Sequence, residues 1–276
     1  MGKAPREPWD IFISFPPPSN KYLTIPQEDS KYSPHLKSIK KFQVITFSVR
    51  RAIVLFSGGK DSCYSTYLAK SSGFKIAALV SVISRNPDSY MFHTVNIKFT
   101  RLQAEAMGLR WIPLKVSGEK EREVGELKEH LREVIRRLGA EAVVFGAIRS
   151  RYQKERIDSI CSNLGVEPIA PLWGRVEEEV LLEELRSGMK VIITGVFAEG
   201  FTEAWLGRIM DERCVEELKR LAERFGINLG GEGGEYETFV IDAPFFNMRI
   251  ELLKWDRIWE ESCGKFIIRE AVLSPK

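Results

Sequence analysis

Six consecutive residues, Ser57-Gly58-Gly59-Lys60-Asp61-Ser62, carry the clearest chemistry in this 276-residue chain. Two adjacent glycines permit the positive φ and close backbone approach that a phosphate nest needs. Ser57 and Ser62 supply hydroxyls, and Lys60 supplies a fixed positive charge. The stretch follows the apolar run Ala52–Phe56 and precedes a helical pattern over 61–71. Backbone N–H groups and a helix N-terminus are therefore expected to face one anion. Asp61 would repel a bare phosphate. Its presence points either to Mg2+ bridging carboxylate and phosphate or to a role in holding the loop. Other phosphate loops fit badly. A G-x-x-x-x-G-K-S/T loop needs Ser or Thr after the lysine, where Asp61 stands, and a G-x-G-x-x-G turn does not occur here.

Two further stretches gather polar groups. Gly146-Ala147-Ile148 with Ser150, Tyr152, Gln153 and Arg156 runs from a strand end into a helix, where donors meet anions. Tyr152 and Gln153 acting as a cap, with Arg156 paired to a carboxylate, is the plainer reading. Glu232-Gly233-Gly234-Glu235-Tyr236-Glu237-Thr238 places three carboxylates in a glycine loop. Crowded acids repel unless a cation sits among them, and Mg2+, ammonium or a cationic substrate would serve. On composition alone this is a solvated acidic turn. Pro171-Leu172-Trp173 reads as core or hinge. Cys63 reads as a helix-packing thiol.

The elements that must hold these groups follow from periodicity. Ala52–Phe56 is a continuous apolar run of buried-strand length. Strand-like runs recur at Lys75–Ile83, Trp111–Val116, Glu141–Phe145 and Glu167–Ala170. Helical patterns lie between them at 61–71, 99–107, Glu119–Leu138 and Tyr152–Leu164. The long helix carries Val124, Leu127, Leu131, Val134, Ile135 and Leu138 on one face. Such alternation argues for an α/β parallel sheet covered on both faces. After Trp173 the order changes to a helix at Glu177–Arg186, a strand at Lys190–Val196 and a helix at Asp211–Phe225. Three β-rich runs follow, at Glu237–Ile241, Met248–Trp259 and Lys265–Leu273. A second, α+β domain is expected from about residue 176, giving 49–175 and 176–276.

Composition excludes several classes. Apolar residues are 44% and charged residues 29%, the balance of an ordinary globular chain rather than a collagen or a disordered one. No apolar run is long enough to span a bilayer. Residues 1–50 hold eight Lys/Arg against four Asp/Glu, leaving the remainder close to neutral. No basic footprint for nucleic acid is visible in it. Cys63, Cys161, Cys214 and Cys263 form no CxxC pair, which suits a reducing, cytoplasmic setting and supplies no metal framework. Seven of the thirteen prolines lie between Pro5 and Pro34. Residues 1–48 therefore read as a loose tail, or as an over-extended gene reading with its true start near Val49 or Arg50.

Ser-Gly-Gly-Lys-Asp-Ser after a first strand resembles the PP-loop of the N-type ATP pyrophosphatases. The stretches around Gly146, Pro171 and Glu232, with Asp242-Ala243-Pro244, are similar to one branch, the diphthine–ammonia ligases of archaea and eukaryotes. Together they span residues 52–250. The resemblance implies a five-stranded parallel sheet of the adenine-nucleotide α-hydrolase (HUP, Rossmann-like) type followed by a smaller α+β domain. It implies ATP as co-substrate with Mg2+ at Asp61. Ser57, Gly58, Gly59, Lys60, Asp61, Ser62, His93, Gly146, Ser150, Tyr152, Gln153 and Arg156 are the expected ATP contacts. Glu232, Gly233, Gly234, Glu235, Tyr236, Glu237 and Thr238 are the expected substrate contacts, the acids facing the PP-loop across a cleft. Lys60, Asp61, Glu235 and Glu237 are the expected catalytic groups.

The implied reaction is amidation of diphthine on elongation factor 2 through an acyl-adenylate, with release of AMP and pyrophosphate. Tyr236 with its acidic neighbours would meet the trimethylammonium group of diphthine. No Cys-dependent glutaminase segment is evident, so free ammonium is the expected nitrogen donor. No membrane and no nucleic acid partner is implied, and the oligomeric state, a homo-oligomer included, stays open. Two rivals remain: a PP-loop ligase or thiolase acting on tRNA, which the missing CxxC pair disfavours, and an ATP sensor of universal-stress type, which would form no AMP. The tail composition generates a test. Deleting residues 1–48 is expected to leave the melting temperature nearly unchanged. A fall of many degrees would show that Phe42–Val49 pairs into a sheet.

Overall fold

The computed structural model describes residues 49–86 and 95–276. The expectations for residues 1–48 and for His93 lie outside the described residues. Five strands form the first sheet: β1 (Arg51–Leu55), β2 (Lys75–Ser84), β3 (Trp111–Val116), β4 (Ala142–Val144) and β5 (Glu167–Ile169). Their order is β3-β2-β1-β4-β5, and every pairing is parallel. Four helices connect them: α1 (Lys60–Ser71), α2 (Thr100–Ala106), α3 (Arg122–Leu138) and α4 (Arg151–Leu164). The order reverses at β1, whose neighbours are β2 and β4. The connections leaving β1 and β4 therefore diverge and open a crevice at the carboxyl ends of the strands.

Successive residues of β1 point to opposite faces, and they join different cores. Ile53 packs with Val143, Leu127, Leu131 and Ile157, beneath α3 and α4. Ala52 and Val54 pack with Leu68 of α1 and continue into Val191, Ile193, Phe239 and Ile268 of the second half. That half comprises α5 (Glu177–Arg186), β6 (Lys190–Val196), α6 (Glu212–Phe225), β7 (Tyr236–Asp242), β8 (Arg249–Glu260) and β9 (Cys263–Ser274). Its antiparallel sheet has the order β7-β6-β9-β8. Helices thus cover both faces of the parallel sheet as expected, α3 and α4 on one and α1 and α2 on the other, and the second sheet packs onto the α1–α2 side. The change of texture near residue 176 marks a change of sheet, while the described residues pack as one compact unit.

One helix starts later than its sequence pattern. The 119–121 segment is a turn, because Glu121 takes a positive φ of 65° and α3 begins at Arg122. Among the described residues, no helix is long and apolar enough to cross a membrane.

Asn96 ties the two halves together. It sits in a left-handed conformation and is buried. Its Nδ2 donates to the Phe266 carbonyl at 2.8 Å, and its Oδ1 accepts from the Ile268 N–H at 2.8 Å. The side-chain amide thus stands in for one residue of a strand beside β9, where β6 no longer pairs. Asn tolerates this φ better than a residue without a short polar side chain. Asn96→Ala is expected to destabilise the fold by about 2–4 kcal/mol, since it strands two buried backbone groups. Chemical denaturation of wild type and variant measures this; an unchanged midpoint would show that the bridge contributes nothing.

Candidate active site

The Ser57–Ser62 loop is shaped by its own hydroxyls. The Ser62 Oγ accepts from the Gly58 N–H at 3.1 Å and donates to the Gly59 carbonyl at 3.1 Å. Ser57 Oγ lies 3.2 Å from Ser62 Oγ and accepts from the Gly59 N–H at 3.4 Å. Gly58 has φ +83°, and a Cβ there would strike the Gln103 side chain at 2.4 Å. Gln103 Nε2 donates to the carbonyls of Gly58 and Val240, each at 2.8 Å. From β7, Thr238 Oγ1 accepts the Lys60 N–H at 3.1 Å, and the Val240 N–H donates to the Gly58 carbonyl at 3.1 Å. The loop is therefore clamped between α2 and a strand of the second sheet.

Lys60 turns inward. Its side chain is 2% exposed. The ammonium donates to Asp61 Oδ1 at 2.7 Å and to the Gly230 carbonyl at 2.9 Å. Glu184 Oε2 of α5 lies 3.7 Å away, and the Tyr236 ring centroid 6.0 Å away. Burial alone would lower the Lys60 pKa, but the Asp61 and Glu184 carboxylates hold it well above the usual lysine value. Burial likewise pushes the Glu184 carboxyl well above the carboxylate range, against the pull of Lys60. The cation met by Tyr236 is thus Lys60 itself, and the Tyr236 hydroxyl donates to the Leu229 carbonyl at 2.7 Å. Cys63 is buried, and burial raises its thiol pKa, in keeping with a packing role.

The three glycine-loop acids take different directions. Glu232 reaches the start of α4, where its carboxylate accepts the N–H groups of Ile148 (2.7 Å), Arg149 and Ser150 (3.2 Å). A protein carboxylate therefore sits where an external anion was expected. Burial raises the Glu232 pKa while those N–H groups pull it down. Glu235 folds back on its own loop and accepts the Asn228 N–H at 2.9 Å. Only Glu232 and Glu237 of the three line the cavity beside the Ser57–Ser62 loop. The expectation that all three face that loop is corrected for Glu235, whose carboxylate serves a backbone group that no sheet neighbour satisfies.

Around α4, Ser150 caps the helix by accepting the Gln153 N–H. Arg156 pairs with Glu121 and stacks over the Tyr152 ring, while the Tyr152 hydroxyl donates to Glu121. Of Ser150, Tyr152, Gln153 and Arg156, only Gln153 lines the cavity. Gly146 is needed for close approach, since a Cβ there would lie 2.9 Å from the Asp61 carbonyl carbon and 3.0 Å from the Ser62 nitrogen. Gly233 and Gly234 shape the loop and do not line the cavity. Leu172 is fully buried in the core, and Lys154 lies over the Trp173 ring.

The cavity wall is part apolar and part polar. Val82, Val95, Ile97, Phe145 and Ile157 belong to the apolar part. Lys60, Asp61, Gly230, Tyr236 and Thr238 belong to the polar part. Such a mixed lining suits a ligand that carries both a planar base and charged phosphates. Asp61 is 26% exposed there. A carboxylate beside the phosphate loop suits Mg2+ that takes its other ligands from phosphates and water. Among the described residues, no group of three or more His, Cys, Asp or Glu side chains is placed to hold a metal ion. Sequence reasoning missed Glu184, Gln103 and Gly230. Glu184 had a usable signal: it falls three and four residues after Leu181 and Val180, on the apolar face of α5.

Comparison with known proteins agrees with this architecture. The family model for the diphthamide synthase N-terminal domain matches residues 50–168, and that for the C-terminal domain matches residues 177–273. A human protein named diphthine–ammonia ligase is 36% identical over 222 residues, covering 72% of this chain and 82% of the relative. The Danio rerio protein of that name is 35% identical over 218 residues, covering 72% and 85%. The chain belongs to the diphthine–ammonia ligase family. The Saccharomyces cerevisiae diphthine–ammonia ligase is longer, and the match takes in 33% of it at 31% identity. A U34-tRNA thiolase from Methanococcus maripaludis overlaps at a TM-score of 0.33 and 14% identity, over 67% of this chain and 68% of its own. A likeness that weak says nothing about activity.

In this ligase the β7 clamp yields a direct test. Thr238→Val keeps the side-chain shape but leaves the Lys60 N–H without its acceptor. The expected loss is about 1–3 kcal/mol of stability, largely restored in Thr238→Ser. Equal stabilities for the Val and Ser variants in urea titration would remove the clamp.

Proposed function

We propose that this chain amidates diphthine to diphthamide on elongation factor 2, using ATP and ammonium. The supporting observation is the cavity that combines an apolar wall with the Ser57–Ser62 loop, in a chain of the diphthine–ammonia ligase family. The adenine base lies against the apolar part of the wall, and the β and γ phosphates lie along the loop. A diphthine carboxylate oxygen attacks the α-phosphorus. The bond from that phosphorus to the bridging oxygen breaks, and pyrophosphate leaves. Ammonium gives up one proton to solvent, the ammonia nitrogen attacks the acyl carbon, the acyl carbon–oxygen bond breaks, and AMP leaves as the new nitrogen loses a second proton.

The protein contributes position and charge more than covalent chemistry. Asp61 is the residue that would hold Mg2+, which neutralises phosphate charge when bound. The α1 N-terminus and the Lys60 charge face the departing pyrophosphate. Glu237, on the cavity wall, faces the acceptor. Residues 49–175 carry most of the nucleotide site and residues 176–276 the acceptor side, with β7 joining them. The reaction takes place in the cytoplasm without nucleic acid or membrane.

Two measurements test this reading. Turnover should yield AMP and pyrophosphate on nucleotide chromatography. Intact-mass analysis of diphthine-bearing elongation factor 2 should show the change from carboxylate to amide, dependent on ammonium. ADP and orthophosphate as main products would remove the PP-loop chemistry; AMP without a mass change would remove the acceptor.

A further inference from the structure

The surroundings of the Lys60 ammonium have the chemistry of an ammonium receptor. Asp61 Oδ1 and the Gly230 carbonyl accept two of its N–H groups at 2.7 and 2.9 Å. The Tyr236 ring lies on another side. Glu184 closes the cage, with its side chain 1% exposed. Neither Glu184 oxygen has a hydrogen-bond partner among the described residues, although Oε2 points at the ammonium from 3.7 Å. A buried carboxylate left this way is costly unless a cation completes it. The Lys60 head is tethered by its stem and stops short of that oxygen. A free ammonium has four donors and no stem, so it can satisfy Asp61, Gly230 and Glu184 together. Asp61, Gly230 and Tyr236 also line the cavity, so the cage opens on the space where the acyl group would lie.

We propose that this cage is the ammonium-binding site of the amidation reaction, with the Lys60 head standing in for ammonium in the ligand-free protein. The proposal rests on the amidation reading above. A triphosphate along the loop competes for the Lys60 charge, and the head that leaves the cage for a phosphate vacates an ammonium-shaped site. Asp61 then supplies the negative charge, Glu184 its unpartnered carboxyl oxygens, Gly230 the neutral acceptor and Tyr236 the π face. The nitrogen donor is thus received behind the phosphate loop by Glu184, and not by the acids of the 232–237 segment.

Two experiments on the full chain test it. Glu184→Gln keeps the shape and replaces one acceptor oxygen with an N–H donor. It should raise the KM for ammonium in amidation by about tenfold or more while the KM for ATP stays within about twofold. An unchanged ammonium KM overturns the proposal. So does a rise confined to ATP, which would make Glu184 a holder of Lys60 alone. The second experiment needs no turnover. Lys60→Ala empties the cage, and ammonium chloride should raise its melting temperature above that in sodium chloride of equal ionic strength. Adding Glu184→Gln to that variant should abolish the difference. Equal melting of Lys60→Ala in both salts overturns the cage. If the wild type forms no amide, the amidation reading fails, while the melting comparison still reports whether the cage takes ammonium.

Discussion

A single buried positive charge organises the centre of this molecule. Lys60 opens α1, yet its ammonium is held by a carbonyl of the glycine loop and faces a carboxylate of α5. A lysine removed from water needs compensation within a few ångströms, and beyond its neighbour Asp61 the compensating groups come from distant parts of the chain. Once they are assembled, the phosphate loop, the glycine loop and α5 cannot move independently. Thr238 and Val240 of β7, with Gln103 of α2, add backbone clamps to the same loop. The nucleotide end of the site is thus built as much by the second sheet as by the first.

The cores explain why the second half is not an appendage. One face of the parallel sheet is closed by α3 and α4. The other is closed by α1 and α2 together with apolar side chains of β6, β7 and β9. Those strands share one core with Val54 and Leu79, both fully buried. Asn96 extends this joint to the cavity wall, since Val95 and Ile97 flank it and belong to the apolar part. Packing and site geometry therefore share residues.

Charge is distributed by local need rather than by crowding. Glu232 satisfies three N–H groups at the start of α4, and Glu235 satisfies one in its own loop. Glu184 has no hydrogen-bond partner among the described residues. Glu232 and Glu235 are thus largely spent on backbone donors. Glu184, with both oxygens unmet, lies on a helix rich in surface charge.

Local signals were sufficient for the elements. Apolar runs of strand length, a 3.6-residue stripe and glycines beyond helix ends marked nearly every strand and helix, because each depends on neighbours within a few residues. Glu121 escaped that reading, since its positive φ delays the start of α3 to Arg122. The phosphate loop and Gly146 were legible for the same reason: a turn and a close approach leave glycines behind. What surrounds Lys60 was not legible. Its partner Gly230 lies 170 residues away, and the acceptor of its N–H, Thr238, lies 178 away. A carbonyl has no sequence signature, and Glu184, although its spacing from Val180 and Leu181 marks it for burial, has no identifiable partner until α5 is packed. Residue types and periodicity revealed that a phosphate loop exists; only the packing of two sheets decided where its lysine points, because long-range contact and burial set the direction of a charge.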